Sequence, residues 1–287
     1  MPLTSDQRNR ISEIIKDILL RRIDNFPELD AQIRNAPFHS AILECFKEKL
    51  GSLNIETPHL IAIASWLHGL NTSLGSGFEN ISHILSGGYK RRFTRAYGLK
   101  VKSTQASQIE NIVRDLKSGV HLPDLARENE LIFNYQNNDS DVDSLPFTVD
   151  TYIEKNNEII AIELKSVRPN SGEGRGEKQK ILYGKAALKL QNPNKEIKFF
   201  IGFPFDPTSE EAMGYNKERF FNYLIEFKKF FSHQEVLIAG ELWDFLSGHQ
   251  GTMDAILDVI TKTVERHLFS KQVLVDQKQD GQNEGNK

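Results

Sequence analysis

Apolar residues at Ile11, Ile14, Ile15, Ile18 and Leu19 recur at helical spacing, after an N-cap offered by Thr4-Ser5-Asp6. Further helix is predicted across Ser40 to Leu50 and His59 to Leu70. The stretch "NTSLGSGFENISHILSGG" reads as a loop that turns helical near Gly77 and stops at Gly87-Gly88. Ile109, Ile112, Val113 and Leu116 stripe another amphipathic helix, so the first part of the chain is mostly helical.

The period changes near Glu130. "ELIFNYQ" reads as a strand and "NNDSDVDS" as a polar loop. "FTVDTYIEKNNEIIAIELK" then predicts two strands joined by a tight turn at Lys155-Asn156-Asn157-Glu158. The second of these is almost wholly apolar through Ile159, Ile160, Ala161 and Ile162, as a strand covered on both faces would be. Pro169 to Gly176 reads as a glycine-rich loop, Glu177 to Gln191 as a helix, and "KEIKFFIGFPF" as a strand. An amphipathic helix over Tyr215 to Phe231, a short strand "EVLIAG" and a helix striped by Met253, Ile256, Leu257, Ile260 and Val264 complete the pattern. The fold class expected is α/β (α+β): a mixed central sheet flanked by helices, behind a mostly helical N-terminal part. The polar residues 271–287 read as a disordered tail.

The chain has 287 residues and a net charge of −3, so no global basic field announces a nucleic-acid partner, although local patches can supply one. Cys45 is the only cysteine, which excludes an intramolecular disulfide and a multi-cysteine zinc site and fits a reducing cytoplasm. The N-terminus carries no signal-peptide pattern, and the apolar run "LIAIASWL" is too short for a bilayer. A cytoplasmic protein with no membrane segment is expected. The histidines are scattered with no recognisable ligand spacing, which argues against histidine-based metal chemistry.

Glu163 and Lys165 end the apolar strand and project on the same face, because the side-chain period of a strand is two. Other acid-x-lysine pairs occur at Asp115, Glu196, Glu226 and Asp276, but none has an aspartate on the strand just before it. Glu163 does: the hairpin brings Asp150 near it across the ladder. Two carboxylates on adjacent strands, with the backbone carbonyl of Leu164, offer the oxygen ligands that a hard divalent ion such as Mg2+ prefers. Such an ion polarises a phosphate and acidifies a water, and a lysine beside it orients that water. Phosphodiester hydrolysis needs this set of roles. The plainer alternative is a strand leaving the core with two solvated or cross-paired charges.

An aspartate, then Glu-x-Lys on the next strand, then a helix and a further strand resembles the PD-(D/E)XK nuclease superfamily, with Val149 where a proline often precedes the aspartate. Gln179 and Tyr183, at i and i+4, resemble the Gln-x-x-x-Tyr that some members carry on the following helix, which would make Gln179 a catalytic residue. "TSLGSGFENISHIL", "ELKSVRPNSGEGRGEKQKIL" and "AGELWDFLSG" resemble segments of type II restriction endonucleases, the TdeIII-type family among them. That resemblance implies a restriction-endonuclease-like fold, with residues 1–103 as a helical, DNA-contacting region and 104–270 as the catalytic core with C-terminal helices. It implies Glu79 as a helical glutamate assisting the metal site. It also implies hydrolysis that leaves 5′-phosphate and 3′-hydroxyl ends, one or two Mg2+ ions per site with Mn2+ as a substitute, a GGNCC-like site, and a DNA methyltransferase acting separately. One site per chain and two DNA strands to cut imply a homodimer.

For the DNA itself, "GGYKRRFTRAYGLKVK" supplies Lys90, Arg91, Arg92 and Arg95 with aromatic residues interleaved. Arg168, Asn170, Arg175 and Lys178 follow the catalytic strand, where they would read base edges or hold phosphates. Rival readings are a repair or recombination exonuclease of the same superfamily, a nucleotide-binding protein suggested by "SGEGRGEK", and a non-catalytic DNA-binding protein. The second lacks the hydroxyl residue that should follow Lys178, and the third must explain why all three core residues are present.

Overall fold

The computed structural model describes residues 1–27, 36–46, 51, 57–136, 138–165 and 171–284. The chain divides into two compact units, one of Met1–Thr4 with Ile81–Ala255 and one of Ser5–Asn80 with Ile256–Lys287.

The second unit is helical. Helix α1 (Ser5–Ile15) continues through a π-helical turn at Lys16–Leu20 into a short helical turn at Arg21–Asp24. Helix α2 (Ala36–Glu44) and the greater part of helix α3 (Thr57–Ser86) follow. Where a loop is predicted before Gly77, α3 is continuous, and Gly77 serves a close approach instead: a Cβ there would lie 2.6 Å from Ile18 Cδ1. Arg8 pairs with Asp258 and Ser12 bonds Thr263, which ties α1 to the last helix.

The first unit holds a five-stranded mixed sheet in the order β1-β4-β5-β6-β7. Strand β1 (Tyr89–Phe93) runs antiparallel to β4 (Phe147–Glu154), and β4 antiparallel to β5 (Glu158–Leu164). Strands β6 (Glu196–Phe203) and β7 (Val236–Ile238) add in parallel. Two short strands, β2 (Lys100–Lys102) and β3 (Asp141–Asp143), pair separately. Ile159, Ile160, Ala161 and Ile162 of β5 are all buried, because helices cover both faces. On one face Gly184 of the helix after β5 meets Phe147 and Phe199, and on the other Phe200 packs edge-on against Phe245.

Other predicted elements also come out differently, among them Asp141–Asp143 of the polar loop, which form β3, and residues 271–284, which are helical rather than a disordered tail. The "ELIFNYQ" run is not a strand. Its apolar residues close helix α5 (Leu125–Phe133), which follows helix α4 (Ser103–Ser118). Asp124 caps α5 by accepting from the Arg127 amide at 3.0 Å, and a three-residue apolar run has no period of its own to separate helix from strand. The glycine-rich stretch is not all loop: helix α6 begins at Ser171 and runs to Gln191. Its first turns are held from outside, since Glu173 and Glu177 both reach Lys165. The helix expected over Tyr215 to Phe231 is instead helix α7 (Lys217–Tyr223) and a 3-10 turn at Phe227–Lys229, with Phe220, Phe221, Phe227 and Phe231 buried all the same. Helix α8 (Gly240–Ser247) and helix α9 (Thr252–Glu284) end the chain.

Candidate active site

The site lies where β4 and β5 part. The pairing of β1 with β4 slips between Tyr89 and Arg91: Tyr89 faces Tyr152 but Arg91 faces Val149, so β4 carries one extra residue around Asp150 and Thr151. A bulge of this kind bends a strand and re-aims a side chain. Here it frees Asp150 from the ladder, and the Asp150 carboxylate takes over a ladder role. The Leu164 amide of β5 donates to Asp150 Oδ2 at 2.9 Å, while Oδ1 accepts from Lys90 Nζ at 3.2 Å. From the last turn of α3, His83 Nε2 meets the Asp150 carbonyl oxygen at 2.6 Å and Ser82 shares a hydrogen bond with the Thr151 hydroxyl.

Glu163 and Lys165 sit at the end of β5. Lys165 Nζ lies 3.4 Å from Glu163 Oε1 and 3.0 Å from Glu177 Oε1. Lys180 Nζ lies 3.0 Å from the same Glu163 Oε1. Glu163 Oε2 is buried with no hydrogen-bond partner among the described residues. Burial pushes the Glu163 carboxyl above the usual carboxylate range, and the Asp150 charge adds to the push. Burial pulls the Lys165 ammonium down, but Glu177 and Glu163 outweigh it and hold it above the usual lysine range. The two carboxylates thus hold the ammonium in place at the end of β5.

The residues fit a divalent cation. A buried carboxylate oxygen without a hydrogen bond is costly unless something binds it, and the charge of Asp150 acts on Glu163, so the two carboxylates offer hard oxygens to such an ion.

Several predicted residues are placed elsewhere. Gln179 and Tyr183 do share a face of α6, but both donate to Glu110 Oε1 of α4, at 2.8 and 3.0 Å. They join two helices and are not directed at Asp150 or Glu163. Lys178 is no DNA contact: it is fully buried between Glu128 and Glu235, at 2.5 and 2.6 Å. Arg91 is committed to the sheet, its guanidinium 4.4 Å from the Tyr152 ring centre and bonded to Glu154 and Tyr97. Lys90 is taken up by Asp150, whereas Arg92, Arg95 and Arg175 are exposed. Glu79 is helical, in α3, and belongs to the second unit. Arg168 and Asn170 lie outside the described residues. Ser82, His83, Glu177 and Lys180 are the contributors that sequence reasoning missed. The last two had a signal, since Glu173, Glu177 and Lys180 stand at i, i+4 and i+7, but it shows only if the helix starts at Ser171.

An acid on one strand, Glu-x-Lys ending the next, and then a helix and a parallel strand define a nuclease of the PD-(D/E)XK class. The family model described as type II restriction endonuclease, HinfI, matches residues 3–264. The chain is 48% identical over 277 residues to the type II restriction enzyme MjaII of Methanocaldococcus jannaschii, covering 94% of this chain and 74% of that protein. The chain belongs to the HinfI family of type II restriction endonucleases. It is an enzyme that cleaves double-stranded DNA at specific sequences, and enzymes of this kind generally use divalent metal ions. Among the described residues no helix is long and apolar enough to cross a membrane.

Proposed function

We propose that Asp150, Glu163 and the Leu164 carbonyl hold Mg2+, with Mn2+ as a substitute, and that Lys165 orients the attacking water. The observation that carries this is the pairing of Asp150, fixed by the Leu164 amide, with a Glu163 oxygen that is buried and unpartnered. When bound, the ion supplies charge to the scissile phosphate and acidifies water. The chain's own groups supply the geometry. Lys165 keeps its proton and donates from Nζ to the water or a phosphate oxygen, and the surrounding carboxylates fix that ammonium in place. The water oxygen joins phosphorus and releases a proton to solvent, the P–O3′ bond breaks and the 3′ oxygen takes up a proton from solvent, and the products are a 5′-phosphate and a 3′-hydroxyl.

The finer points follow the same reading. The described residues of each chain carry one such set, so cutting both strands calls for a homodimer. Arg92, Arg95 and Arg175 are exposed cations for DNA phosphates, with Arg168 and Asn170 following the catalytic strand in sequence. A GGNCC-like sequence is the target, and the enzyme works in the cytoplasm beside a separate methyltransferase.

The test is cleavage of plasmid and phage DNA with Mg2+ or with EDTA, beside an Asp150→Ala protein. Discrete fragments that need Mg2+ and vanish in the variant support the reading, and mapping their ends gives the site. A metal-dependent smear would favour an exonuclease. Cleavage unchanged by Asp150→Ala would refute the assignment.

A further inference from the structure

Glu177 and Lys180 of α6 close a ring of alternating charge with Glu163 and Lys165. Lys165 Nζ is 3.0 Å from Glu177 and 3.4 Å from Glu163, and Lys180 Nζ is 3.0 Å from Glu163 and 2.5 Å from Glu177. All four side chains are largely buried, with exposures of 17% for Lys165, 12% for Glu163, 14% for Glu177 and 19% for Lys180. Salt screens such pairs far less than surface pairs, and a partner removed from one leaves an uncompensated charge. The helix that carries the ring is itself fixed. Lys178, between Glu177 and Lys180 in sequence, is clamped in the interior by Glu128 and Glu235. Both lysines of the ring address Glu163 through Oε1, so Oε2 is the oxygen left without a hydrogen bond.

We propose that Glu177 and Lys180 are positioning residues for DNA cleavage: Glu177 holds the Lys165 ammonium, and Lys180 holds the Glu163 carboxylate by Oε1 so that Oε2 is presented to the cation. This rests on the nuclease reading of Asp150, Glu163 and Lys165. Helix α6 is then a working part of the site, and its register with β5 sets the geometry of both catalytic side chains. Lys180 also competes with the cation, since its charge opposes a second positive charge on the same carboxylate.

The experiment pairs steady-state cleavage of plasmid DNA with calorimetric titration of the protein by Mn2+ alone. Glu177→Gln is expected to lower kcat by about ten- to a hundredfold, the range found for partners that orient a reacting group, with KM within about twofold. Glu177→Asp is expected to recover part of that loss. Lys180→Met is expected to bind Mn2+ more tightly, on the order of threefold, and yet to cleave more slowly. A merely structural residue gives no such opposition between affinity and rate. Wild-type kcat in Glu177→Gln, or unchanged Mn2+ affinity and kcat in Lys180→Met, would overturn the proposal. Should Glu177→Gln fail to melt cooperatively, Lys180→Met decides by the same criterion. If the wild type cleaves, Asp150→Ala does not, and both α6 variants match the wild type, this inference alone falls. If Asp150→Ala cleaves as the wild type does, the nuclease reading falls with it.

Discussion

The Leu164 amide donates to the Asp150 carboxylate at 2.9 Å, so the acid of one strand is fixed by the backbone of the next. The bulge in β4 makes this possible by taking Asp150 out of register and leaving that amide for its side chain. An asparagine of the same shape keeps an oxygen for the Leu164 amide but loses the charge. Asp150→Asn is therefore expected to melt within a few degrees of the wild type while losing Mn2+ binding in calorimetry and at least about a hundredfold in cleavage rate. A variant that lost its fold along with its activity would show that the hydrogen bond depends on charge.

Lys178 is a buried cation between two buried carboxylates, Glu128 and Glu235, and Lys185 lies in the same field. Removing the cation strands both acids in the interior. Lys178→Met is expected to cost about 3–5 kcal/mol in urea unfolding, the usual penalty for breaking a buried pair from one side. A loss below about 1 kcal/mol would mean that the two glutamates take up protons or solvent without difficulty.

Lys185 gives a pH signature. Burial lowers its pKa to about 8 from 10.5, against the partial help of Glu235. The unfolded chain therefore holds more protons than the folded one between those values, and stability rises with pH across that window. Below it the ammonium must be kept charged in the interior, at full cost. Lys185→Met should remove this rise, so the difference in unfolding free energy between variant and wild type should shrink from pH 7 to pH 10. A constant difference would show that Lys185 ionises as freely folded as unfolded.

Ser82 and Thr151 share a buried hydrogen bond that ties the last turn of α3 to the bulged strand. Ser82→Ala leaves the Thr151 hydroxyl buried without that partner and is expected to destabilise by about 1–3 kcal/mol. In the double variant Ser82→Ala with Thr151→Val the Thr151 hydroxyl is no longer stranded, and part of the loss should return in denaturant titrations. Simple additivity of the two changes would argue against a direct link.

The proposed catalytic centre could be read from the sequence because its spacing is local. Asp150, Glu163 and Lys165 lie on one hairpin, where strand period and a four-residue turn bring them together. The rest of the site depends on distant partners. Lys178 reads as a surface cation after the catalytic strand, and only Glu128 and Glu235, far off in sequence, show that it is core. Gln179 and Tyr183 have the right helical spacing, but the face they share is answered by Glu110. The start of α6 was hidden by Gly172, Gly174 and Gly176, residues that weaken a helix locally and are outweighed here by the ion pairs of Glu173 and Glu177 with Lys165.

The same distinction separates the cations proposed to meet DNA from those that hold the protein. Arg92 and Arg95 are exposed, whereas Arg91 is stacked on aromatic rings and Lys178 is interior. A phosphate contact releases condensed counterions, so its removal flattens the dependence of affinity on salt. Arg92→Ala is expected to weaken binding to cognate and unrelated DNA by similar factors and to reduce the salt slope by about one, measured by filter binding in Ca2+. Lys178→Met should leave that slope unchanged at temperatures where the variant stays folded. A slope unaffected by Arg92→Ala would remove β1 from the DNA interface. A loss confined to cognate DNA would mean that Arg92 reads a base edge rather than a phosphate.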